Sequence, residues 1–198
     1  SLECVNGKKS SYWVWSSFIP ESARFAKNIY AYQGVFNIIA EREVYRFEGL
    51  SPHSIDGYSG SLTLTYRLET LVHPEMVISR FKAHRKAWIR HGILVDGIQI
   101  DYDSPTAKLH EYADWVILLK QVIGKDTCIS ITGLGDWLAS APPNHLNDLF
   151  HKVSFIAFMM YHGSQPLKHI DTYITLLSRL SLPFKLGRLQ TQVNAKEF

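Results

Sequence analysis

Strand-like and helix-like segments alternate along this chain, and that alternation is the strongest constraint on its fold. Seven stretches rich in β-branched and aromatic residues read as strands: "SYWVWSSF" (Ser11 to Phe18), Val35 to Glu43, "SLTLTYRLE" from Ser61, Val95 to Asp103, "CISITGLG" from Cys128, "VSFIAFMMYH" from Val153 and "PFKLGRL" from Pro183. Helical patterns lie between most of them. They run from Pro20 to Gly34, from His73 to Gly92, from Leu109 to Ile123, around Asn144 to His151 and from His169 to Leu180. Two of these open on a proline with a glutamate beside it and stop at a glycine, the expected punctuation of a helix. Residues 44–60 read as an irregular excursion with turn signals at Ser51-Pro52 and Asp56-Gly57.

A βαβα order demands a parallel sheet, because each crossover returns the chain to the same end. The strands recur at roughly 30-residue spacing, close to the repeat of a (β/α)₈ barrel. No G-x-G-x-x-G follows a strand, so the best argument for a doubly wound nucleotide-binding sheet is missing. The tail "QTQVNAKEF" is too polar to supply an eighth strand and its covering helix. The expectation is an α/β fold: a (β/α) TIM-barrel-like domain over residues 1–198, with about seven parallel strands, truncated or open.

The segment "VDGIQIDYDSPT" (Val95 to Thr106) is anomalous for a central strand. Such a strand is buried on both faces and should be apolar on both. Here Asp96, Ile98, Ile100 and Tyr102 point one way, and Gly97, Gln99, Asp101 and Asp103 the other. A barrel resolves this. Ile98 and Ile100 face the helices, while Gln99, Asp101 and Asp103 face the interior, with Asp103 at the carboxyl end where barrel enzymes carry their chemistry. Carboxylates two residues apart on one strand face sit about 6.5–7 Å apart at Cα. Two like charges that close disfavour joint ionisation, so one carboxyl can stay protonated as a general acid for a glycosidic oxygen. The other reading is that the acids merely bond neighbouring strands or an arginine such as Arg67.

"DGIQIDYD" resembles the D-G-x-D-x-D-x-E signature of family-18 glycoside hydrolases, the chitinase-like barrels. In that family the last Glu is the general acid, and the Asp before it orients the substrate acetamide as nucleophile. The resemblance implies that Asp103 stands at the acid position, Asp101 at the orienting one, and Gln99 in place of the middle Asp. "FMMYHG" resembles a later M-x-Y segment whose Tyr supports the intermediate, which implies a catalytic part for Tyr161. The chain also resembles a bacterial domain-of-unknown-function family, number 3142. Three motifs carry this in order: "YWVW" (Tyr12 to Trp15), "GIQIDYDSPT" (Gly97 to Thr106) and "SITGLGDWL" (Ser130 to Leu138). In this family Gln99 belongs to the pattern. Against the chitinase signature, Asp103 is one methylene shorter than Glu, and a misplacement of about 1 Å can cost on the order of 10²-fold in rate.

Around Asp103 the strand ends gather Trp15, Glu41, Glu43, Glu69, Trp137, Tyr161 and His162. Indole faces stack on sugar rings, so Trp15 and Trp137 are candidate walls of a glycan groove, with Gln99 and His162 as further substrate-binding candidates. The ligand class expected is a glycan, with polymers of N-acetyl or amino sugars leading. The alternative is a non-catalytic barrel serving as a protein component of a bacterial envelope assembly, so that enzyme, glycan binder and pseudoenzyme all stay open. No H-x-H or H-E-x-x-H spacing indicates a metal, no G-x-S-x-G elbow a serine nucleophile, and no cofactor is expected. Basic residues cluster at Arg80, Lys82, His84, Arg85, Lys86 and Arg90, opposite an apolar stripe of Met76, Val77, Phe81, Trp88 and Ile89. This reads as a solvated helix face and not a nucleic-acid surface. No apolar run reaches the ~18 residues of a membrane span. Cys4 and Cys128 could pair or stay free, and the expected location is periplasmic or secreted.

Overall fold

The structure, a computed structural model, describes residues 11–55, 57–159, 161–162, 165–166, 171 and 184–187. In chain order its strands are β1 (Ser11–Val14), β2 (Asn28–Ile39), β3 (Arg42–Arg46), β4 (Ser61–Leu68), β5 (Leu94–Tyr102), β6 (Cys128–Leu134), β7 (Phe155–Met159), β8 (Tyr161–His162), β9 (Gln165–Pro166) and β10 (Phe184–Gly187). Its helices are α1 (Pro74–Arg90), α2 (Leu109–Ile123), α3 (Gly135–Ser140) and α4 (Pro143–Lys152). The strands β1-β2-β4-β5-β6-β7-β10 lie side by side in that order and all run parallel. β5 is central, as its flanking helices require.

The sheet curls. Tyr30 of β2 packs with Phe155 and Ala157 of β7, although β4, β5 and β6 lie between those two strands in the sheet, and Trp13 of β1 closes the group. Such a contact is reachable only if the inner face is concave, so the architecture is an open α/β barrel. The outer face carries the main apolar core. Leu62, Leu64 and Tyr66 of β4, Ile98 and Ile100 of β5, and Ile129 and Ile131 of β6 share one cluster with Val77, Phe81 and Trp88 of α1, with Val116 and Leu119 of α2, and with Leu149 of α4. The period-2 alternation of β4, β5 and β6 therefore sorts apolar residues outward under the helices and polar ones inward.

The chain departs from its sequence pattern at three places. The segment from Pro20 to Gly34, expected as a helix, is a single short 3-10 turn (Glu21–Ala23) followed by the twelve-residue β2. The β-branched and aromatic run "NIYAYQGVF" outweighs the helix punctuation once both faces can be buried. Gly34 is a bulge here, not a helix stop: with φ +133° it lets β2 skip one residue against β4 between Tyr32 and Gly34. The supposed excursion begins with β3, joined to β2 by a tight turn in which Ala40 and Glu41 both adopt positive φ. On α1, Ile89 is not part of the core stripe; it faces solvent while Trp88 is fully buried.

A second bulge alters β5. Leu62 pairs with Val95 but Thr63 pairs with Gly97, so Asp96 is the extra residue. Its carboxylate accepts bonds from Thr63 Oγ1 (2.9 Å), Ser61 Oγ (2.8 Å) and Asn28 Nδ2 (3.2 Å). Asp96 thus joins the inner side of the sheet at the amino end, contrary to the strict alternation that grouped it with Ile98. Cys128, opening β6, is disulfide-bonded; Cys4, the chain's other cysteine, lies outside the described residues. No helix among the described residues is long and apolar enough to cross a membrane.

A Cβ placed on Gly34 would lie 2.3 Å from the Arg46 carbonyl oxygen, in a backbone conformation that L side chains rarely adopt. Gly34→Ala is expected to cost about 2–3 kcal/mol, read as a lower urea midpoint with an unchanged slope.

Candidate functional site

The inner face of the barrel is built in polar and aromatic layers. In the middle layer Gln99 is fully buried, and each end of its amide is used. Oε1 accepts from Trp13 Nε1 (2.7 Å) and from Thr65 Oγ1 (3.4 Å), while Nε2 donates to Ser130 Oγ (3.2 Å). The register places Thr65 and Ser130 directly beside Gln99 on the two neighbouring strands. A carboxylate at this position could not donate to Ser130; an amide both donates and accepts, which is the physical reason for glutamine here. Beside it Trp13 packs on Tyr30 with ring centroids 5.2 Å apart, and burial pushes the Tyr30 phenol up to about 12, so it stays neutral.

One layer toward the carboxyl ends lies Asp101, only 4 % exposed. Its Oδ1 accepts from Thr132 Oγ1 at 2.7 Å, and its Oδ2 accepts from Arg67 Nε at 3.3 Å. Arg67 is its register neighbour on β4. Of the two readings of the acids, the bond to a neighbouring strand and to Arg67 describes Asp101. The guanidinium of Arg67 also lies over the rings of Trp15 (5.6 Å) and Tyr32 (5.9 Å), whose own centroids are 5.3 Å apart. Burial pulls the Arg67 pKa down, but the Asp101 charge and hydrogen bond outweigh it and hold the group above its ordinary value. The result is a fixed cation at the mouth, half of its side chain in solvent, with its carboxylate partner beneath it.

Glu48, just past β3, completes this wall. Its carboxylate accepts from Tyr32 Oη (3.0 Å) and from Arg46 Nε (2.6 Å), and the Arg46 bond holds it below the usual carboxylate range. Burial pushes the Tyr32 phenol well up, reinforced by the neighbouring Glu48 charge. Glu48 and Tyr32 were not legible as site residues from the sequence. Tyr32 fell in the segment read as helix and Glu48 in the segment read as irregular.

The expected site residues separate accordingly. Asp101 and Trp15 meet through Arg67 near the mouth, and Gln99 lies one layer below Asp101, bonded to Trp13. Asp103 follows β5 and is exposed beyond the strand end. Trp137 does not wall a groove. It is fully buried in the outer core on α3, donates to the Ser104 carbonyl (2.9 Å) and meets Tyr112 edge-on at 6.3 Å. The short helix α3, absent from the sequence reading, turns its indole under α2 instead of over the mouth. Tyr161 and His162 form β8 beside β9, and their side chains lie outside what the structure describes. Glu43 binds the amino end of α1, accepting from the His73 amide (2.7 Å), while Glu41 turns the β2–β3 hairpin. Phe18, 64 % exposed on the loop leaving β1, is an accessible aromatic that the motifs did not single out. Among the described residues no group of three His, Cys, Asp or Glu could hold a metal ion.

Comparison with solved structures shows the same architecture in the chitinase domain of the spore coat protein CotE from Clostridium difficile, with a TM-score of 0.59 at 13 % identity. The match covers 92 % of this chain and 65 % of that one, so this chain spans just under two thirds of the chitinase domain's length. At that identity the likeness is one of fold. No curated protein matches the sequence. A family model, however, matches residues 62–170, a stretch holding β4 with Arg67, β5 with Gln99 and Asp101, and β6 with Ser130 and Thr132. The chain belongs to the family described as domain of unknown function DUF3142.

Proposed function

We propose that the mouth of this open barrel binds a glycan, with Trp15 as the sugar-stacking surface and Asp103 and Arg67 as its polar contacts. The observation that carries the reading is the assembly of Trp15, Tyr32 and Arg67 above a buried Asp101, at the carboxyl end of parallel strands. An aromatic face beside a fixed guanidinium suits a ring with apolar C–H faces and hydroxyl or anionic edges. The chitinase-like fold supports the same ligand class, and an N-acetyl or amino sugar polymer leads the candidates.

Binding is favoured over efficient hydrolysis. Asp101, at the acetamide-orienting position, and Gln99, in place of the middle Asp, are buried and spend their polar atoms on Trp13, Thr65, Ser130, Thr132 and Arg67. What reaches solvent is Asp103, shorter than the acid of the chitinase signature. Any turnover would use Asp103 as proton donor, with Tyr161 as its proposed companion. The second reading, a non-catalytic component of an envelope assembly, shares this machinery and differs only in what covers the mouth. A periplasmic or secreted location accords with the bonded state of Cys128, since disulfides persist in oxidising compartments.

Trp15→Ala is expected to weaken glycan binding by about 1–2 kcal/mol in calorimetry against oligosaccharides of glucosamine and N-acetylglucosamine. Asp103→Ala is expected to remove any hydrolysis; a measurable rate surviving in that variant excludes Asp103 as the acid. No heat with any oligosaccharide, together with a partner protein protecting Trp15 from solvent, leaves the assembly reading in its place.

Asp101→Ala is expected to cost about 2–4 kcal/mol of stability, since it strands Thr132 and the half-buried Arg67; the exposure of Arg67 keeps the figure below that of a fully buried pair. Urea denaturation checks this. A cost near zero removes the pair from any structural role.

A further inference from the structure

The end of the barrel opposite the mouth carries a surface that takes no part in the proposed glycan site. In a parallel sheet every strand starts at the same end, so the loops that enter the strands gather into one rim. The register sets them side by side: Asn28 of β2 lies beside Ser61 of β4, and Ser61 beside Leu94 of β5. The Ser61 amide bonds the Lys27 carbonyl (3.0 Å) and Tyr58 Oη bonds the Ala26 carbonyl (2.8 Å), which pins the loop before β2 to this edge. The last turn of α1 reaches the rim through Ile93, whose amide bonds the Trp88 carbonyl at 3.1 Å. α2 ends there as well, where Gly124 turns the chain toward β6.

This rim is unusually apolar. Phe25 at 88 % and Leu94 at 72 % are the most exposed large apolar side chains among the described residues, and both stand on it. Ile89 and Val122, in the last turns of α1 and α2, are exposed too. A single exposed Leu or Phe needs no explanation, but four gathered at one end of a barrel mark an interaction surface.

The same loops carry an excess of positive charge. Arg24, Lys27, Arg90 and Lys125 alternate with the apolar residues along the chain; all are exposed, and none forms an ion pair among the described residues. Lys86 follows one turn back on α1, also exposed. The acids of the rim are Asp126 and Asp96, and Asp96 turns its carboxylate to Ser61, Thr63 and Asn28. The other group of exposed apolar residues, Ile38, Ile39 and Val44 of the β2–β3 hairpin, lacks such a surplus, since Arg42 and Arg46 there are matched by Glu41, Glu43 and Glu48.

From this placement we propose that the amino-end rim docks on an anionic lipid bilayer, with Phe25, Leu94, Ile89 and Val122 entering the interface and Arg24, Lys27 and Arg90 meeting the headgroup phosphates. Apolar side chains gain by leaving water at the boundary of headgroups and acyl chains, and each Lys or Arg close to an anionic surface adds to that gain. A nucleic acid would engage the cations but leave the aliphatic Leu94, Ile89 and Val122 in water. Docking of this kind needs no membrane-crossing helix. It also orients the molecule: β5 runs from Leu94 at the rim to Tyr102 at the mouth, so the mouth faces away from the bilayer at a height of at most roughly 25 Å, from the ~3.3 Å rise per residue.

The test is flotation of the whole chain with vesicles of phosphatidylcholine alone and of phosphatidylcholine mixed with phosphatidylglycerol, each at low and high salt. Binding to the mixed vesicles at low salt is expected, and to be weaker by about tenfold or more without the anionic lipid or at high salt. Phe25→Ser combined with Leu94→Ser is expected to lower partitioning about tenfold or more, through lost apolar burial. Lys27→Glu combined with Arg90→Glu is expected to lower it as much, through reversed charge. All four side chains are exposed, so the urea midpoint of both double variants is expected to match that of the unaltered chain. Ile39→Ser, on the hairpin, is expected to bind as the unaltered chain does. No binding to the mixed vesicles, equal binding to both kinds, undiminished binding of either double variant, or the same loss in Ile39→Ser would each overturn bilayer docking by this rim.

Discussion

The contact on which the inner face turns is the ion pair between Asp101 and Arg67, on adjacent strands at the same register. Burying a carboxylate is expensive, and an ion pair offsets that cost only when the remaining lone pairs are satisfied. Thr132 supplies the missing bond from the other neighbouring strand. Asp101 thereby ties β4, β5 and β6 at one level, and Gln99 does the same one level down through Thr65 and Ser130. A parallel barrel with an apolar interior would need none of this. Here the interior is polar and each layer must be closed by cross-strand bonds.

That closure decides what the mouth can present. Because Asp101 holds Nε of Arg67, the guanidinium is fixed in direction and lies over Trp15 and Tyr32. A pre-oriented cation against aromatic faces loses little entropy on meeting a ligand, which is the general advantage of preorganisation. The same bonds leave Asp101 and Gln99 buried beneath it. The likeness to the chitinase domain is one of fold, while Gln99 and Asp101 hold neighbouring strands together.

Much of this was legible in the residues. The strict alternation of "SLTLTYRLE" and "GIQID" located the inner and outer faces, and Pro74 and Gly92 bounded α1. The segment from Asn28 to Gly34 was not legible as strand, because Pro20, Glu21 and Gly34 imitate helix signals and burial on both faces erases the period. Trp137 was misplaced for a related reason. An indole near a strand end can point to a rim or to the core, and only the short helix α3, with its bond to the Ser104 carbonyl, settles the direction.

What the sequence alone determined is the parallel sheet that a βαβα order enforces and the polar stripe of β5, since those follow from local period and chain connectivity. Tertiary structure decided the rest. The bulge at Asp96 reverses one side chain. The pairing of Asp101 with Arg67 is an attraction across strands that the register sets. The wall from β3 to Leu50 brings Glu48 to Tyr32 and Tyr45 to His84. Each depends on which strand lies beside which and at what register, and on bulges that local patterning does not carry; a shift of one residue moves a side chain to the opposite face.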